Sequence, residues 1–153
     1  MAFLISDKLI EQVSNIIHRE TQKHPDHLDL TVAEVHRITG AGSLDFGGSE
    51  FKPAATEKLT PEKQKTEDDY GWWKLGHGPY KIISNERVDL PEKSSALITP
   101  HQHASKAGLV ANSYLLSADE SNPDRLSMNV TVSEAGCNIK ENARVAELRI
   151  LEN

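Results

Sequence analysis

The chain has little cysteine and no long hydrophobic run. Cys137 is the single cysteine among 153 residues, which excludes an internal disulfide framework and is typical of a reducing cytoplasm. The opening segment, MAFLI, has no basic flank and is too short for a signal peptide or a membrane span. We therefore predict a cytoplasmic protein with no membrane partner.

An excess of basic residues is also missing. Lys and Arg number 17 against 23 Asp and Glu, which gives a formal net charge of −6. Such a chain lacks the electrostatic attraction that drives non-specific binding to a phosphate backbone. Nucleic acid is therefore not an expected partner, but the net charge does not argue against a local basic pocket for a small phosphate ligand.

The overall composition is that of a folded globular protein. Hydrophobic residues make up 37% and charged residues 26% of the chain, close to the average for globular domains. A chain of this length predicts one domain, spanning 1–153, that buries roughly two thirds of its unfolded surface.

Near the N-terminus the apolar residues recur at spacings of three and four, which predicts an amphipathic helix. The residues of this apolar face are Leu9, Ile10, Val13, Ile16 and Ile17. Ser6 is the expected N-cap and Ile5 the expected hydrophobic staple, and Pro25 sets the latest possible end of the helix.

Beyond this helix the apolar residues alternate with a period of two, which predicts strands. The predicted strands lie at 28–33, 80–84, 96–99, 109–116, 126–132 and 144–151. Many short strands with one early helix favour an antiparallel β-barrel or jelly roll. The predicted fold class is therefore mainly β, with an N-terminal helix.

A long insert at 39–79 interrupts the strands. A connection of this length in a compact domain is usually functional or partly disordered. Its adjacent aromatics, Trp72 and Trp73, are able to form a base-stacking platform. Such a pair more often anchors a loop, because each ring buries a large apolar area, and anchoring is the interpretation we favour.

Five segments, taken in order, resemble the superfamily of trimeric dUTPases and dCTP deaminases. HLDL at 27–30 lies where this superfamily has Ser-x-Asp-Leu. NERVDLP at 85–91 leads into ALITP at 96–100, which ends at the proline that precedes Arg-Ser-Ser in the superfamily. ADESNPDRL at 118–126 resembles the hairpin Asp-x-x-Tyr-x-Gly, and RVAEL at 144–148 the final Arg-Ile-Ala/Gly-Gln-Leu. The resemblance implies a dUTPase-like fold, a homotrimer, and a deoxynucleoside triphosphate ligand.

The resemblance also implies roles for individual residues. Asp119 matches the hairpin aspartate that contacts the deoxyribose and holds the attacking water, although a simple turn at this position is an equally good interpretation. Asp29 matches a structural or metal-linked aspartate, with Mg²⁺ as the expected ion. The expected substrate-binding residues are His101, Gln102, His103, Lys106, Asn122 and Arg125.

Several positions depart from the family pattern. Arg-Ser-Ser becomes His101-Gln102-His103, which removes the guanidinium fork and the hydroxyls that hold the triphosphate, and Lys106 offers only a point charge. Asn129 stands where deaminases have their catalytic glutamate, and an amide cannot exchange protons as an acid and base. The chain ends at Asn153, without the Gly-rich arm of many dUTPases. These departures disfavour dCTP deamination and leave dUTP hydrolysis as the better enzymatic hypothesis.

His101 and His103 support a separate hypothesis, a metal site. On a strand, residues i and i+2 point to the same face, and paired imidazoles bind metal ions. His36, His77 or Asp119 would complete the ligand set. Hydrogen-bonded histidines at a subunit seam are the simpler explanation.

Three functions remain open from the sequence. The first is a dUTP-hydrolysing enzyme, and the second is a non-catalytic trimeric nucleotide sensor or interaction protein that has lost the active site. The third is a small metal-dependent protein that uses His101 and His103.

Overall fold

The computed structural model describes residues 2–118 and 124–153, in which antiparallel strands predominate. The strands are β1 (Ala2–Phe3), β2 (Val13–Ser14), β3 (Leu28–Gly40), β4 (Ala55–Lys58), β5 (Trp72–Leu75), β6 (Gly78–Val88), β7 (Ser94–Pro100), β8 (Leu109–Ala111), β9 (Tyr114–Ser117), β10 (Asp124–Val132), β11 (Cys137–Lys140) and β12 (Arg144–Glu152). The helices are α1 (Ser6–Ile10), α2 (Arg19–Gln22) and α3 (Gln102–Lys106).

One curled sheet contains most of the strands, in the order β8-β10-β6-β3-β12-β7-β9. The long strand β3 joins its two halves, because residues 28–31 pair with β12 and residues 32–37 pair with β6. Near the two ends of the path, the Tyr114 hydroxyl in β9 donates to the backbone oxygen of Ser127 in β10 at 2.6 Å. The prediction of a mainly β, antiparallel fold is confirmed.

The core follows from the alternation in the strands. Leu28, Leu30 and Leu148 point inward from β3 and β12 and are buried, and each such side chain contributes about 1.5–3 kcal/mol. The opposite face of β3 is also buried at Asp29 and Thr31. Because buried polar groups need partners, this second face has to carry a hydrogen-bond network.

That network centres on Glu86, which is fully buried. Its Oε1 accepts a hydrogen bond from the Thr31 backbone N–H at 2.8 Å, and its Oε2 accepts from the Thr31 hydroxyl and from Gln22 Nε2. Gln22 also donates to the backbone oxygen of Asp29 at 2.9 Å. The network therefore ties α2 and β6 to the segment of β3 that carries Asp29.

The prediction of one amphipathic helix at the N-terminus is wrong in its extent. The helix α1 has only five residues, and Val13 joins the sheet in β2 opposite Val88. Asn15 then turns the chain with a φ of 62° before α2 begins. The apolar residues at spacings of three and four are thus divided among a helix (Leu9 and Ile10), a strand (Val13) and the segment between β2 and α2 (Ile16 and Ile17). Among the described residues, no helix is long and apolar enough to cross a membrane.

The predicted start of this helix is also wrong in detail. Ile5 occupies the N-cap position without a side-chain hydrogen bond, and Ser6 is the first helical residue, with a φ of 51°. Ile5 is 57% exposed, so it does not act as the predicted staple. Pro25 instead supplies its carbonyl to the Ser6 backbone N–H at 3.1 Å.

The predicted strand at 109–116 is two strands in the structure. β8 pairs with β10 at one end of the sheet path and β9 pairs with β7 at the other. Asn112 and Ser113 separate them, and both residue types favour turns. The apolar run therefore continues across a change of strand partner, which a local pattern does not reveal.

The insert at 39–79 contains two strands of its own. β4 pairs with β3, and β5 pairs with β11 in a separate two-stranded sheet. Trp73 is 3% exposed and its indole Nε1 donates to the Leu59 backbone oxygen at 3.1 Å. Trp72 lies under Lys140, whose Nζ is 5.6 Å from the ring centroid. Trp73 therefore packs into the core as the anchoring interpretation expects, whereas Trp72 is only half-buried.

Candidate functional site

Three adjacent strands bring three of the motif segments together. Because β12 lies between β3 and β7, Glu147 stands opposite Asp29 on one side and opposite Thr99 on the other. Residues directly opposite each other share a face of the sheet, with Cβ atoms about 4.5–5.5 Å apart. The neighbouring pair Leu28 and Leu148 occupies the core face. The polar residues therefore converge on the other face.

Asp29 is the centre of this site and is 1% exposed. Its Oδ2 accepts hydrogen bonds from His24 Nε2 and Arg144 Nη1, both at 3.0 Å. Its Oδ1 has no hydrogen-bond partner, although His27 Nε2 lies 3.6 Å away. Buried polar atoms without a partner are rare in folded proteins, and this one faces the interior of the site.

Charged side chains surround His27. Its Nδ1 lies 2.7 Å from Asp26 Oδ1, and its Nε2 lies 3.7 Å from Glu147 Oε1. Arg149 donates to Glu147 Oε1 at 3.2 Å and lies 3.6 Å from Asp26 Oδ2. The hydrogen bond from His27 and the positive charge of Arg149 hold the pKa of Asp26 below its usual value. Asp26 is therefore an ionised acceptor at neutral pH.

His101 lies directly after β7 as the N-cap of α3 rather than within a strand. Its backbone N–H donates to the Val145 oxygen at 3.0 Å, and its Nδ1 accepts from the His103 backbone N–H at 3.0 Å. Burial lowers the pKa of His101, so the ring is neutral. Because Nδ1 accepts, the proton sits on Nε2, which lies 3.7 Å from Asp29 Oδ2.

The proposed His101–His103 metal pair is wrong in its geometry. The two residues do not alternate on a strand, and their rings meet edge to face with centroids 4.8 Å apart. His36 Nε2 instead pairs with Glu34 Oε1 at 2.9 Å, and His77 Nδ1 with the Val132 backbone oxygen at 2.7 Å. Among residues 2–118 and 124–153, two groups of side chains have ligand atoms close enough to hold a metal ion. One group is His24, His27 and Asp29, and the other is Asp29, His101 and Glu147.

The other predicted substrate residues lie at two places. Gln102, His103 and Lys106 occupy the exposed side of α3. Arg125 lies at the start of β10, with its Nη2 2.7 Å from Glu34 Oε2. Asp119 and Asn122 lie outside the described residues.

A cleft of about 290 Å³ opens beside α3, near the lower end of the range for small-molecule sites. His103, Lys140 and Arg144 supply basic or potentially basic groups to its wall, and Trp72 supplies an aromatic ring. Arg144 also contacts Asp29. Arg144 therefore links the cleft to the buried polar site.

A second pocket, of about 620 Å³, lies between the insert and β10. Lys81, Ser127 and Asn129 line it from the sheet, and Leu44 and Phe51 line it from the insert. Asn129 is the residue that replaces the deaminase glutamate, and it pairs with Lys81 across β10 and β6. The insert thus forms one wall of a pocket on β10, the strand in which the motif segment at 118–126 ends.

The Mg²⁺ ion predicted from the resemblance fits the donors around Asp29 poorly. Mg²⁺ binds oxygen ligands and retains several waters, whereas three imidazoles and the Arg144 guanidinium approach this carboxylate. Imidazole ligands suit zinc, copper, iron or nickel better. We therefore derive no reaction step through Mg²⁺ at Asp29.

Sequence reasoning missed six residues of this site: His24, Asp26, His27, Arg144, Glu147 and Arg149. His27 and Glu147 lie inside segments already singled out by motif, HLDL and RVAEL. The missing information is the register of β3 against β12, which places Glu147 opposite Asp29. A pattern of polar residues at alternate positions in both strands is the only local signal for it.

Comparisons with known proteins agree with this architecture. The chain is 32% identical over 155 residues to a "Probable deoxyuridine 5′-triphosphate nucleotidohydrolase" of Methanosarcina mazei, covering 97% of this chain and 86% of that protein. A protein of the same name from Methanosarcina acetivorans is 33% identical over 136 residues, covering 89% of this chain and 75% of that protein. No protein-family model matches the chain.

A solved structure gives the fold. The crystal structure of 2′-deoxycytidine 5′-triphosphate deaminase from Agrobacterium tumefaciens aligns with a TM-score of 0.66 at 12% identity. The alignment covers 97% of this chain, which spans about half (47%) of that deaminase. The fold and the three converging motifs define a member of the dUTPase and dCTP deaminase superfamily. The similarity to the two archaeal proteins places it more closely: the chain belongs to the dUTPase family.

Proposed function

We propose that the chain hydrolyses dUTP to dUMP and pyrophosphate. The names of the archaeal relatives support this substrate. The observation that carries the proposal is the register of β3, β12 and β7, because it brings Asp29, Glu147 and the start of α3 to one place. These are the segments that resemble the family's motifs, and they meet beside the cleft at α3.

Asp119 is the proposed catalytic residue. Its carboxylate would hold a water molecule and accept a proton as the water oxygen attacks the α-phosphorus. The bond between the α-phosphorus and the oxygen that bridges to the β-phosphorus then breaks, and pyrophosphate leaves. Asn122 and Arg125 belong to the same motif segment at 118–126, and we assign them to the sugar and base side of the nucleotide.

The proposed phosphate contacts come from α3. Gln102, His103 and Lys106 lie on its exposed side and offer donors without the usual arginine fork. Arg144 lines the adjoining cleft and supplies a guanidinium from a different strand. His101 is buried beneath them and caps α3 through its Nδ1, so its contribution is to position this helix rather than to cover the phosphates.

The remaining proposals concern assembly and conditions. We propose a cytoplasmic homotrimer, because sites in the dUTPase-like superfamily form between subunits. The proposed Mg²⁺ ion would accompany the triphosphate of the nucleotide rather than bind Asp29. Light scattering on the purified chain tests the trimer directly, since a mass equal to one chain would overturn it.

The test of the function is a pyrophosphate-release assay. We expect purified chain with Mg²⁺ to convert dUTP to dUMP and pyrophosphate, and Asp119→Asn to abolish turnover. Asp68→Asn is the matched control, because Asp68 is an acidic residue on the insert whose Oδ2 accepts from the Lys65 backbone N–H at 3.0 Å. Unchanged turnover in Asp119→Asn would overturn the assignment of the base.

Binding without turnover would support the nucleotide sensor instead. In that case dUTP should raise the melting temperature of the chain, as any ligand specific for the folded state does, while the nucleotide stays intact. If no deoxynucleoside triphosphate raises the melting temperature, both the enzyme and the sensor proposals fail.

A further inference from the structure

The pocket between the insert and β10 has a polar floor and an apolar wall. Lys81 and Asn129 stand opposite each other across β6 and β10 and form the floor, and Leu44 and Phe51 form the wall from the insert. Its volume of about 620 Å³ lies within the range of small-molecule sites, which combine an apolar lining with a few polar groups. The pocket is therefore of the right size and character for an organic ligand.

The floor begins where the motif segment at 118–126 ends. Met128 is buried in the core, so Ser127 and Asn129 on either side of it project from the outer face of β10. Both line the pocket. Arg125, which precedes them on the same strand, belongs to the segment that we assign to the sugar and base side of the nucleotide. A base bound at that segment would have the pocket beside it.

The two floor groups are free to bind a ligand. Among residues 2–118 and 124–153, neither the Lys81 ammonium nor the Asn129 side-chain amide has a hydrogen bond or an ion pair. Glu34, on the adjacent strand β3, is already held by His36 and Arg125. None of the described residues that line the pocket is acidic. The half-buried Lys81 ammonium therefore favours a ligand that brings its own acceptor.

The wall is closed by backbone contacts within the insert. The Ser43 backbone N–H donates to the Lys52 oxygen at 2.9 Å, and the Lys52 N–H donates to the Ser43 oxygen at 3.1 Å. A Cβ on Gly42 would lie 2.5 Å from the Lys52 oxygen, so this close approach requires glycine. The closed loop carries Phe51 into the pocket lining, and an aromatic ring offers a stacking surface for a planar base.

Uracil and cytosine present different groups to such a floor. Uracil has a carbonyl oxygen at C4 and an N–H at N3, whereas cytosine has an amino group at C4 and a bare N3. The Lys81 ammonium only donates, while the Asn129 amide both donates and accepts. Lys81 therefore matches the uracil oxygen and meets the cytosine amino group donor to donor. The Asn129 amide serves either base, because it can turn over.

We propose that this pocket binds the uracil base and that Lys81 is the residue that determines the preference for uracil over cytosine. Lys81 Nζ donates to the uracil O4, the Asn129 amide accepts from N3–H, and the base stacks on Phe51. The inference rests on the proposed function, because it takes the ligand to be a deoxynucleotide. It adds the side chain that distinguishes the two pyrimidines.

The test compares the binding of dUMP and dCMP, which carry the two bases without a triphosphate to hydrolyse. Isothermal titration calorimetry of the wild-type chain should show tighter binding of dUMP. Lys81→Met keeps most of the side-chain length and removes the ammonium, so the preference for dUMP should fall about 10- to 100-fold, as expected for one hydrogen bond to a charged group. Lys81→Glu replaces the donor with an acceptor and should reverse the preference.

Two further variants separate the floor from the wall and from general effects of charge. Phe51→Ala should weaken dUMP and dCMP alike, by about 5-fold or more, because stacking does not distinguish the bases. Lys74→Met is the matched control, since Lys74 stands opposite Asn138 across β5 and β11 in the separate two-stranded sheet. It should keep the wild-type preference. Circular dichroism verifies the fold of each variant.

Two results would overturn the proposal: a wild-type chain that binds dUMP no more tightly than dCMP, or a Lys81→Met variant that keeps the wild-type preference. Neither result depends on catalysis. A preference for dUMP that is lost in Lys81→Met, without pyrophosphate release from dUTP, would support this inference and defeat the proposed hydrolysis. Hydrolysis of dUTP together with an unchanged preference in Lys81→Met would do the reverse.

Discussion

Arg144 Nη1 lies 3.0 Å from Asp29 Oδ2, and this contact joins the surface cleft to the buried carboxylate. The two residues belong to adjacent strands, β12 and β3, but they are not directly opposite, since Arg144 pairs with Thr31. The arginine side chain therefore reaches along the strand to the carboxylate. Any group that binds Arg144 from the cleft will also affect Asp29.

Removing this arginine should destabilise the fold. In Arg144→Ala, Asp29 Oδ2 keeps only His24 as a donor in a buried site. Breaking a fully buried pair costs about 3–5 kcal/mol, and partial exposure of Arg144 lowers the expected loss to about 1–3 kcal/mol. Urea unfolding measures it. The loss in the free energy of unfolding caused by Asp29→Asn should then be smaller in the Arg144→Ala background than in the wild type. Equal losses in the two backgrounds would contradict the coupling between Arg144 and Asp29.

The buried Glu86 network gives a second prediction. In Glu86→Gln, one amide N–H₂ must face donors that now bind the carboxylate, namely Thr31 and Gln22. We expect a loss of about 2 kcal/mol in the free energy of unfolding. Glu92→Gln is the control, because Glu92 is exposed, and it should change stability by less than about 0.5 kcal/mol. Equal stability of both variants would contradict the role of Glu86.

Glu34 should make folding stability depend on pH in the acid range. The hydrogen bond from His36 and the hydrogen bond and charge of Arg125 lower its pKa from the usual 4.5, with Lys58 adding a smaller attraction. A lowered folded-state pKa adds stability that is complete above the unfolded-state pKa and is lost as the pH falls through the folded-state pKa.

The measurement is the free energy of unfolding of the wild type and Glu34→Gln from pH 6 down to pH 3. The excess free energy of unfolding of the wild type over Glu34→Gln should be largest above about pH 4.5 and should shrink at lower pH. The control Glu20→Gln, at an exposed position of α2, should differ from the wild type in free energy of unfolding by the same amount at every pH. An advantage of Glu34 that grows on acidification would refute this prediction.

Trp73 should be the main anchor of the insert. Trp73→Ala removes a buried ring and its hydrogen bond to Leu59, for an expected loss of about 3–5 kcal/mol. Trp73→Phe should cost less, because it keeps an aromatic ring. Phe46→Ala, at a fully exposed position of the same insert, should leave the unfolding midpoint unchanged. A small effect of Trp73→Ala would show that the insert is held elsewhere.

The sequence predicted the strands better than the helix. Residues 126–132 and 144–151 alternate clearly and lie within β10 and β12. The N-terminal pattern was ambiguous because Leu9 and Val13 suit one face of a helix, yet Val13 pairs with Val88, 75 positions away. Long-range pairing decided between helix and strand there, and no local rule contains that information.

In the candidate site, too, local sequence patterns identified individual residues but not their long-range arrangement. Motif resemblance identified Asp29 and the segment at His101, but it did not bring them together with Glu147. That convergence depends on strand order, since β12 is inserted between β3 and β7. The change of His101 from strand residue to helix cap has a local cause, because its Nδ1 accepts from the His103 backbone N–H. Side-chain capping by histidine was not among the expected signals.

Hydrolysis of dUTP is tested by offering the purified chain dUTP, dCTP and dTTP with Mg²⁺ and measuring dUMP, pyrophosphate and ammonia. We expect pyrophosphate and dUMP in equal amounts from dUTP, no ammonia from dCTP, and no turnover in Asp119→Asn. Intact dUTP, or ammonia released from dCTP, would contradict it.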